Sequence, residues 1–442
     1  MSRSTLRKTV AVTLSGAVAV GVALAPNLTA AAVTPPLENS APVSTAVAAE
    51  PSARAIGPVP RKAKKSKKVP VTLFGMNSSG QNTGAKALRL WDAGVTWRQL
   101  QPTNGPVNWA PLDAIVDRAR ANGYRDLLYV FGSTPAWAAS RTSPKEVYGP
   151  GSSSYPANDA YYLDYARQVA QRYKGRINSY QIWNEADLPD FYSGSPEALG
   201  NLTAKTYNLI KSIDRSAKVA AAGLVPRPGR FANGTFEYRY LTTLRKHRWP
   251  TDAFVISMYP ERQKTQLRLT YSNIARNALR KLKAPSKQLW ESEANFATSN
   301  GQPFNNSAQM RLVARTYIDS MTYGFSRVYW YSWTQQWAPL GIRLTGPDRV
   351  TPTPAATAYS TVTNWMAGRS WQGCNTKGGV TRCGMKGGGN ATIMFTNSGS
   401  RRVAAPKGTN AICGLSNSCT PLKAKKRFKV TSTPVLLKGA RV

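Results

Sequence analysis

The chain has 442 residues, 42% of them apolar and 10% aromatic, enough for one large folded domain with additions. Against 21 Asp and Glu stand 59 Lys and Arg, a formal net charge of +38. Such a surplus favours polyanionic partners such as nucleic acid, anionic lipid or acidic wall polymers, unless it serves only solubility. The single histidine, His247, argues against a Ser–His–Asp triad and against most zinc chemistry.

Arg3, Arg7 and Lys8 precede the apolar run TVAVTLSGAVAVGVALA and the small residues TAAAV. This is the layout of a secretory signal peptide over residues 1–32. The run is short for a membrane anchor. The protein is therefore expected to be exported, either secreted or associated with the cell wall. Residues 33–69 are rich in Ala, Pro, Val and Ser and end in RKAKKSKK, which reads as a disordered basic linker.

From Val71 short β-branched or aromatic runs alternate with amphipathic helical stretches. Strands are predicted at VTLFGMN, ALRLWD, DLLYVF, INSYQIWN, KVAAAGL, AFVISMY, QLWESE and RVYWYSW. Helical patterns lie between most of them, with Pro111 and Pro196 in first turns and Gly123, Gly175 and Gly324 at ends. Strands alternating with helices in this number predict a (β/α)8 TIM barrel over residues 70–369. Only about ten residues separate strands one and two, short for a crossover helix, so a loop is expected there. A doubly wound open sheet is the competing topology, but no glycine-rich phosphate loop follows the first strand.

Residues 370–442 lose the helical pattern and read as a small basic β-rich domain. Cys374, Cys383, Cys413 and Cys419 all lie in it. In an exported chain they form two disulfides. Three pairings are possible, and proximity favours Cys374–Cys383 with Cys413–Cys419. Neither spacing is CxxC, which argues against zinc.

In such a barrel the site lies at the C-terminal ends of the strands. Those ends carry Asn184 and Glu185 on strand four, Tyr259 on six, Glu293 on seven and Trp333 on eight; Arg89 lies on strand two and Trp137 follows three. Glu291 and Glu293 are two apart, so a regular strand turns both inward, with Glu291 about 6–7 Å deeper. There its charge would need a partner such as Arg89. Two carboxylates from strands four and seven suit glycoside hydrolysis, where one group protonates the leaving oxygen and the other attacks or activates water. Trp97, Trp109, Trp137, Trp333 and Trp337 offer flat faces for sugar rings, with core packing as the alternative.

YQIWNEAD resembles the Asn-Glu signature of glycoside hydrolase clan A, the retaining (β/α)8 glycosidases. LRLWDAGVTWRQLQPTNGPVNW and LWESEANF resemble the β-xylosidase-like end of that clan. The resemblance covers roughly residues 71–368 and implies specific roles. Glu185 would be the acid/base and Glu293 the nucleophile. Asn184 would bind the sugar 2-hydroxyl, Arg89 would hold the nucleophile ionised, Tyr259 would hydrogen-bond it, and Trp333 would floor the sugar subsite. Glu291, deeper on the same inward face, is read from its spacing as a group that helps position strand seven. Ser257 stands where many members carry histidine.

The expected partner is a carbohydrate, with an anionic wall polymer bound through the basic linker and tail. No specific nucleic acid, cofactor or metal is expected, and the protein is expected to be monomeric. A catalytically inactive polysaccharide-binding barrel and a polyanion-binding surface protein are the competing readings.

Overall fold

The computed structural model describes residues 67–142, 146–336 and 339–441. The predicted signal peptide, nearly all of the predicted linker and Trp337 lie outside them.

Eight parallel strands close into a barrel: β1 (Phe74–Asn77), β2 (Ala87–Leu90), β3 (Asp126–Val130), β4 (Ser179–Gln181), β5 (Lys218–Leu224), β6 (Ala253–Met258), β7 (Gln288–Ala294) and β8 (Arg327–Trp330). β8 pairs back onto β1 through Val328 and Phe74. The chain runs from β1 to β2 without a helix, as the short spacing predicts. After β2 come a four-residue helix, α1 (Trp97–Leu100), and α2 (Ala110–Ala121). α3 (Asp159–Arg172), α4 (Pro196–Ile213), α5 (Phe236–Lys246), α6 (Gln266–Lys281), α7 (Asn306–Thr322) and α8 (Pro354–Met366) follow successive strands. Ser195 caps α4 by accepting from the Ala198 N–H, with Pro196 at the first helical position, where a missing N–H costs nothing.

The two-residue period of the strands sorts the barrel interior into layers. Ala87, Leu128, Ala220, Val255, Trp290 and Tyr329 form one inner apolar cluster. Below it Arg327 pairs with Asp126 and stacks 3.9 Å over Trp290. Two residues further along β2 and β6, on the same inward face, come Arg89 and Ser257. The polar layer thus sits at the strand ends, on a packed floor.

The C-terminal region is an antiparallel sheet, β9 (Ser370–Lys377), β10 (Val380–Lys386), β11 (Ala391–Thr396), β13 (Ala411–Cys413), β14 (Cys419–Pro421) and β16 (Val435–Lys438). β12 (Arg401–Ala404) and β15 (Arg427–Val430) form a separate ribbon. Lys67–Lys68 adds an edge strand to β9, so the last residues read as linker belong to this sheet. Trp371, Met385, Ile393 and Phe395 share one buried cluster with the barrel residues. Arg315 on α7 lies 4.1 Å over the Phe395 ring. The other side carries a smaller core of Met394, Leu422, Phe428, Val430 and Leu437. Disulfides join Cys374 to Cys383 and Cys413 to Cys419, each across paired strands.

Candidate active site

Arg89 is the hub of the polar layer. Its side chain is fully buried, so each guanidinium N–H needs a partner. Nε donates to Gln181 at 3.1 Å, Nη1 to Asn77 at 3.1 Å and to Glu293 at 2.8 Å, and Nη2 to Asn184 at 2.6 Å. One cation from β2 thereby fixes groups from β1, β4 and β7. Tyr259, just past β6, donates to the second oxygen of Glu293 at 2.6 Å.

Glu185 lies in the loop beyond β4 with φ of 37°, the left-handed region that a side-chain-bearing residue enters only under constraint. The constraint is visible. The Ala186 N–H donates to the Gly223 carbonyl, and Asp187 accepts from the Val225 N–H and from Arg230. Trp183, which precedes the loop, is buried on Tyr162, and its indole donates to the Phe191 carbonyl. Its ring leaves room only for glycine at Gly132, where an added Cβ would come within 3.0 Å of it.

Burial pushes the Glu185 carboxyl well above the usual carboxylate range, aided by the negative charges of Glu293 and Asp187. Ser257, in the position where the resemblance leads one to expect histidine, hydrogen-bonds Glu185 and opposes that shift. Its hydroxyl also meets the Ser292 hydroxyl at 3.0 Å.

Glu291 departs from the expected inward position. The β6–β7 register places Ile256 opposite Glu291 but Ser257 opposite Glu293, so Ser292 is an extra residue in a bulge. The bulge breaks the two-residue alternation. Glu293 turns into the barrel, and Glu291 turns out toward the helices. There it binds Arg268 of α6 at 2.7 Å and nears Ser320 of α7, all three side chains fully buried. Arg268, not Arg89, is its partner. Burial pushes the Glu291 carboxyl up, and Arg268 opposes this.

Trp137 is also elsewhere. Its indole donates to the Gln101 carbonyl, and its ring packs edge-on against Trp97 and beside Tyr161. Trp97 is fully buried and stacks on Tyr165, as does Trp109 from the other side, so these rings fill space between helices. Trp333 is half-buried just past β8, its backbone N–H donating to the Asn77 carbonyl at the end of β1.

Asn77, Gln181, Asp92, Tyr148 and Tyr331 join the site unpredicted. Asp92 accepts hydrogen bonds from Tyr148 at 2.8 Å and from Tyr331 at 2.6 Å. Tyr331 in turn packs edge-on against Tyr259. Asp92 closes the predicted second strand, so the rule that selected the other strand-end residues applies equally to it.

The chain matches no family model and no curated protein sequence. Solved structures resemble it. A family 39 glycoside hydrolase from Bacteroides cellulosilyticus WH2 superposes with a TM-score of 0.59 at 15% identity, over 81% of this chain and 76% of that one. A monomeric β-xylosidase from Caulobacter crescentus CB15 gives 0.60 at 14% identity, over 86% and 99%. A glucosidase from Croceicoccus marinus gives 0.61 at 11%, over 86% and 98%. The barrel is thus a fold found among glycoside hydrolases, in line with the clan A resemblance.

Proposed function

We propose that the protein is a secreted retaining glycoside hydrolase acting by double displacement. The observation that carries this is the unlike treatment of two strand-end carboxyls. Glu185 is buried beside other carboxyls, which keeps a proton on it, while Glu293 is held by a buried guanidinium and a phenol. Environments that separate two carboxyls in this way assign the acid and the nucleophile.

Glu293 attacks the anomeric carbon while Glu185 gives its proton to the departing glycosidic oxygen. The Glu293–sugar ester forms as the glycosidic bond breaks. Glu185, now ionised, takes a proton from water, whose oxygen attacks the same carbon and frees Glu293. Asn184, its carbonyl oxygen fixed by Arg89, keeps its amide N–H groups for the sugar 2-hydroxyl. The names of the similar structures, β-xylosidase and glucosidase, favour a glycoside or polysaccharide as substrate.

The test is hydrolysis of a panel of aryl β-glycosides and wall polysaccharides by wild type, Glu185→Gln and Glu293→Gln. Each substitution should lower kcat by about 10²-fold or more. Equal activity of all three proteins would overturn the assignment. Inactivity of wild type on the whole panel would favour the polysaccharide-binding reading.

A second property has its own support. Residues 370–442 contain 13 Lys and Arg and no Asp or Glu. Arg401, Arg402, Lys423, Lys425, Lys426, Arg427 and Lys429 are exposed on or beside the β12–β15 ribbon. Such an unbalanced surface suits retention on an anionic wall polymer. Changing Arg401, Arg402, Lys423, Lys425 and Lys426 to Gln should weaken salt-sensitive binding to isolated walls, and undiminished binding would refute this. Deletion of the tail is a poorer test, because β16 is an inner strand of the sheet.

A further inference from the structure

Asp92 is a mouth carboxylate to which the double displacement gives no task. It follows β2 with φ of 55°, again in the left-handed region. Its two oxygens are held separately, Oδ1 by Tyr148 and Oδ2 by Tyr331. The two phenols come from different walls of the mouth. Tyr148 belongs to the loop after β3 and packs edge-on against Trp91 and beside Phe191. Tyr331 follows β8 and packs against Tyr259, the residue that donates to Glu293. Asp92 lies within electrostatic reach of both Glu293 and Arg89.

A simple strut between loops would be sealed from solvent. Asp92 is instead partly exposed, whereas Glu293 and Tyr331 beside it are both only 5% exposed. A carboxylate has about four acceptor positions, and the two phenols occupy two. The remaining lone pairs are available to a ligand. The charge count also matters. Burial pushes the Asp92 carboxyl up, while the hydrogen bonds from Tyr331 and Tyr148 and the charge of Arg89 oppose this. Arg89 balances Glu293 and Glu185 holds its proton, so an ionised Asp92 leaves the mouth acidic in a chain whose overall charge is +38.

We infer that Asp92 is a specificity residue that accepts a hydrogen bond from a hydroxyl of an uncharged sugar next to Glu293 and repels acidic sugars. The excess positive charge of the chain therefore does not predict a uronic acid at the cleavage point. A uronate carboxylate placed there would meet Asp92 and Glu293 together, an arrangement that discriminates by repulsion. This inference rests on the glycosidase reading above.

The experiment compares matched aryl glycosides, β-glucoside with β-glucuronide and β-galactoside with β-galacturonide, together with the β-xyloside. Wild type should favour a neutral member. Asp92→Ala should lower kcat/KM on that substrate by about 10- to 100-fold, the loss of one hydrogen bond to a charged acceptor. Asp92→Asn keeps a carbonyl acceptor and loses the charge, so it should raise the uronide-to-neutral ratio at least several-fold. Tyr148→Phe should leave that ratio near wild type, since the charge stays, and it controls for loss of loop structure. An unchanged ratio in Asp92→Asn, or a wild-type preference for the uronide, overturns the inference while the glycosidase reading stands. If wild type cleaves no glycoside, or Glu293→Gln is as active as wild type, the reading and the inference fall together.

Discussion

Arg268 grips Glu291 behind strand β7, while Arg89 grips Glu293 in front of it, so one bulge at Ser292 deals two neighbouring glutamates to opposite faces. The outer pair stands between the barrel and helices α6 and α7, away from the mouth. Removing one partner of a buried ion pair leaves an uncompensated charge and costs about 3–5 kcal/mol. Glu291→Gln should therefore lower the melting temperature strongly while kcat per folded molecule stays near wild type. The double change Arg268→Met with Glu291→Met should recover much of the loss. Thermal unfolding together with active-site titration reads both quantities. A stable but inactive Glu291→Gln would contradict the assignment.

Arg89→Lys should be severe although it conserves charge. A lysine ammonium has three donors on a flexible stem and cannot hold Gln181, Asn77, Glu293 and Asn184 in one plane. Loss of such preorganised polar contacts lowers kcat by about 10²- to 10³-fold. Steady-state kinetics on the best substrate of the panel measures this, and a change confined to KM would argue for a binding role only.

The pH profile follows from Glu185. An acid with a raised pKa keeps its proton through neutrality, and activity falls as pH rises through that pKa. The basic limb of kcat/KM should thus belong to Glu185. Asp187, pushed up to about 7 chiefly by burial, adds negative charge near Glu185 above that pH. Asp187→Asn removes this charge, so the basic limb should move to lower pH. A limb that stays in place or moves upward would show that Asp187 does not tune the acid.

The disulfides close short loops, with sequence separations of 9 and 6 residues. Each should add about 2–3 kcal/mol by constraining the unfolded chain. Replacing Cys413 and Cys419 with Ala should lower the unfolding midpoint of the C-terminal sheet with little change in kcat. Denaturant titration with paired activity assays tests this. A large loss of activity would show that the sheet supports the mouth.

Much of this arrangement was legible beforehand. Strand-end reading located Asn184, Glu185, Tyr259 and Glu293, and Arg89 was legible through the clan A resemblance, because parallel strands buried between helices leave long apolar runs that stop at polar residues. The loop between β1 and β2 followed from spacing alone. The packing of Trp137 on Trp97 and Tyr161 was not legible, because a tryptophan near a strand end looks the same in sequence whether it faces a cleft or a helix. Asn77 and Gln181 sat in plain strands, and only the buried donors of Arg89 gave them a task.

By itself, the sequence determined the period of strands and helices, the surplus of positive charge, the cysteines available for bonding and the chemistry each strand end could offer. Those are local properties, fixed by side-chain type and spacing. The tertiary structure decided which way each group faced. A single extra residue in β7 sent Glu291 to Arg268, 23 positions earlier in the chain, and Glu293 to Arg89, 204 positions earlier. It also brought Tyr148 and Tyr331 onto Asp92 from the ends of two different strands. Register and closure are cooperative outcomes of pairing and packing, and periodicity in one strand carries no record of them.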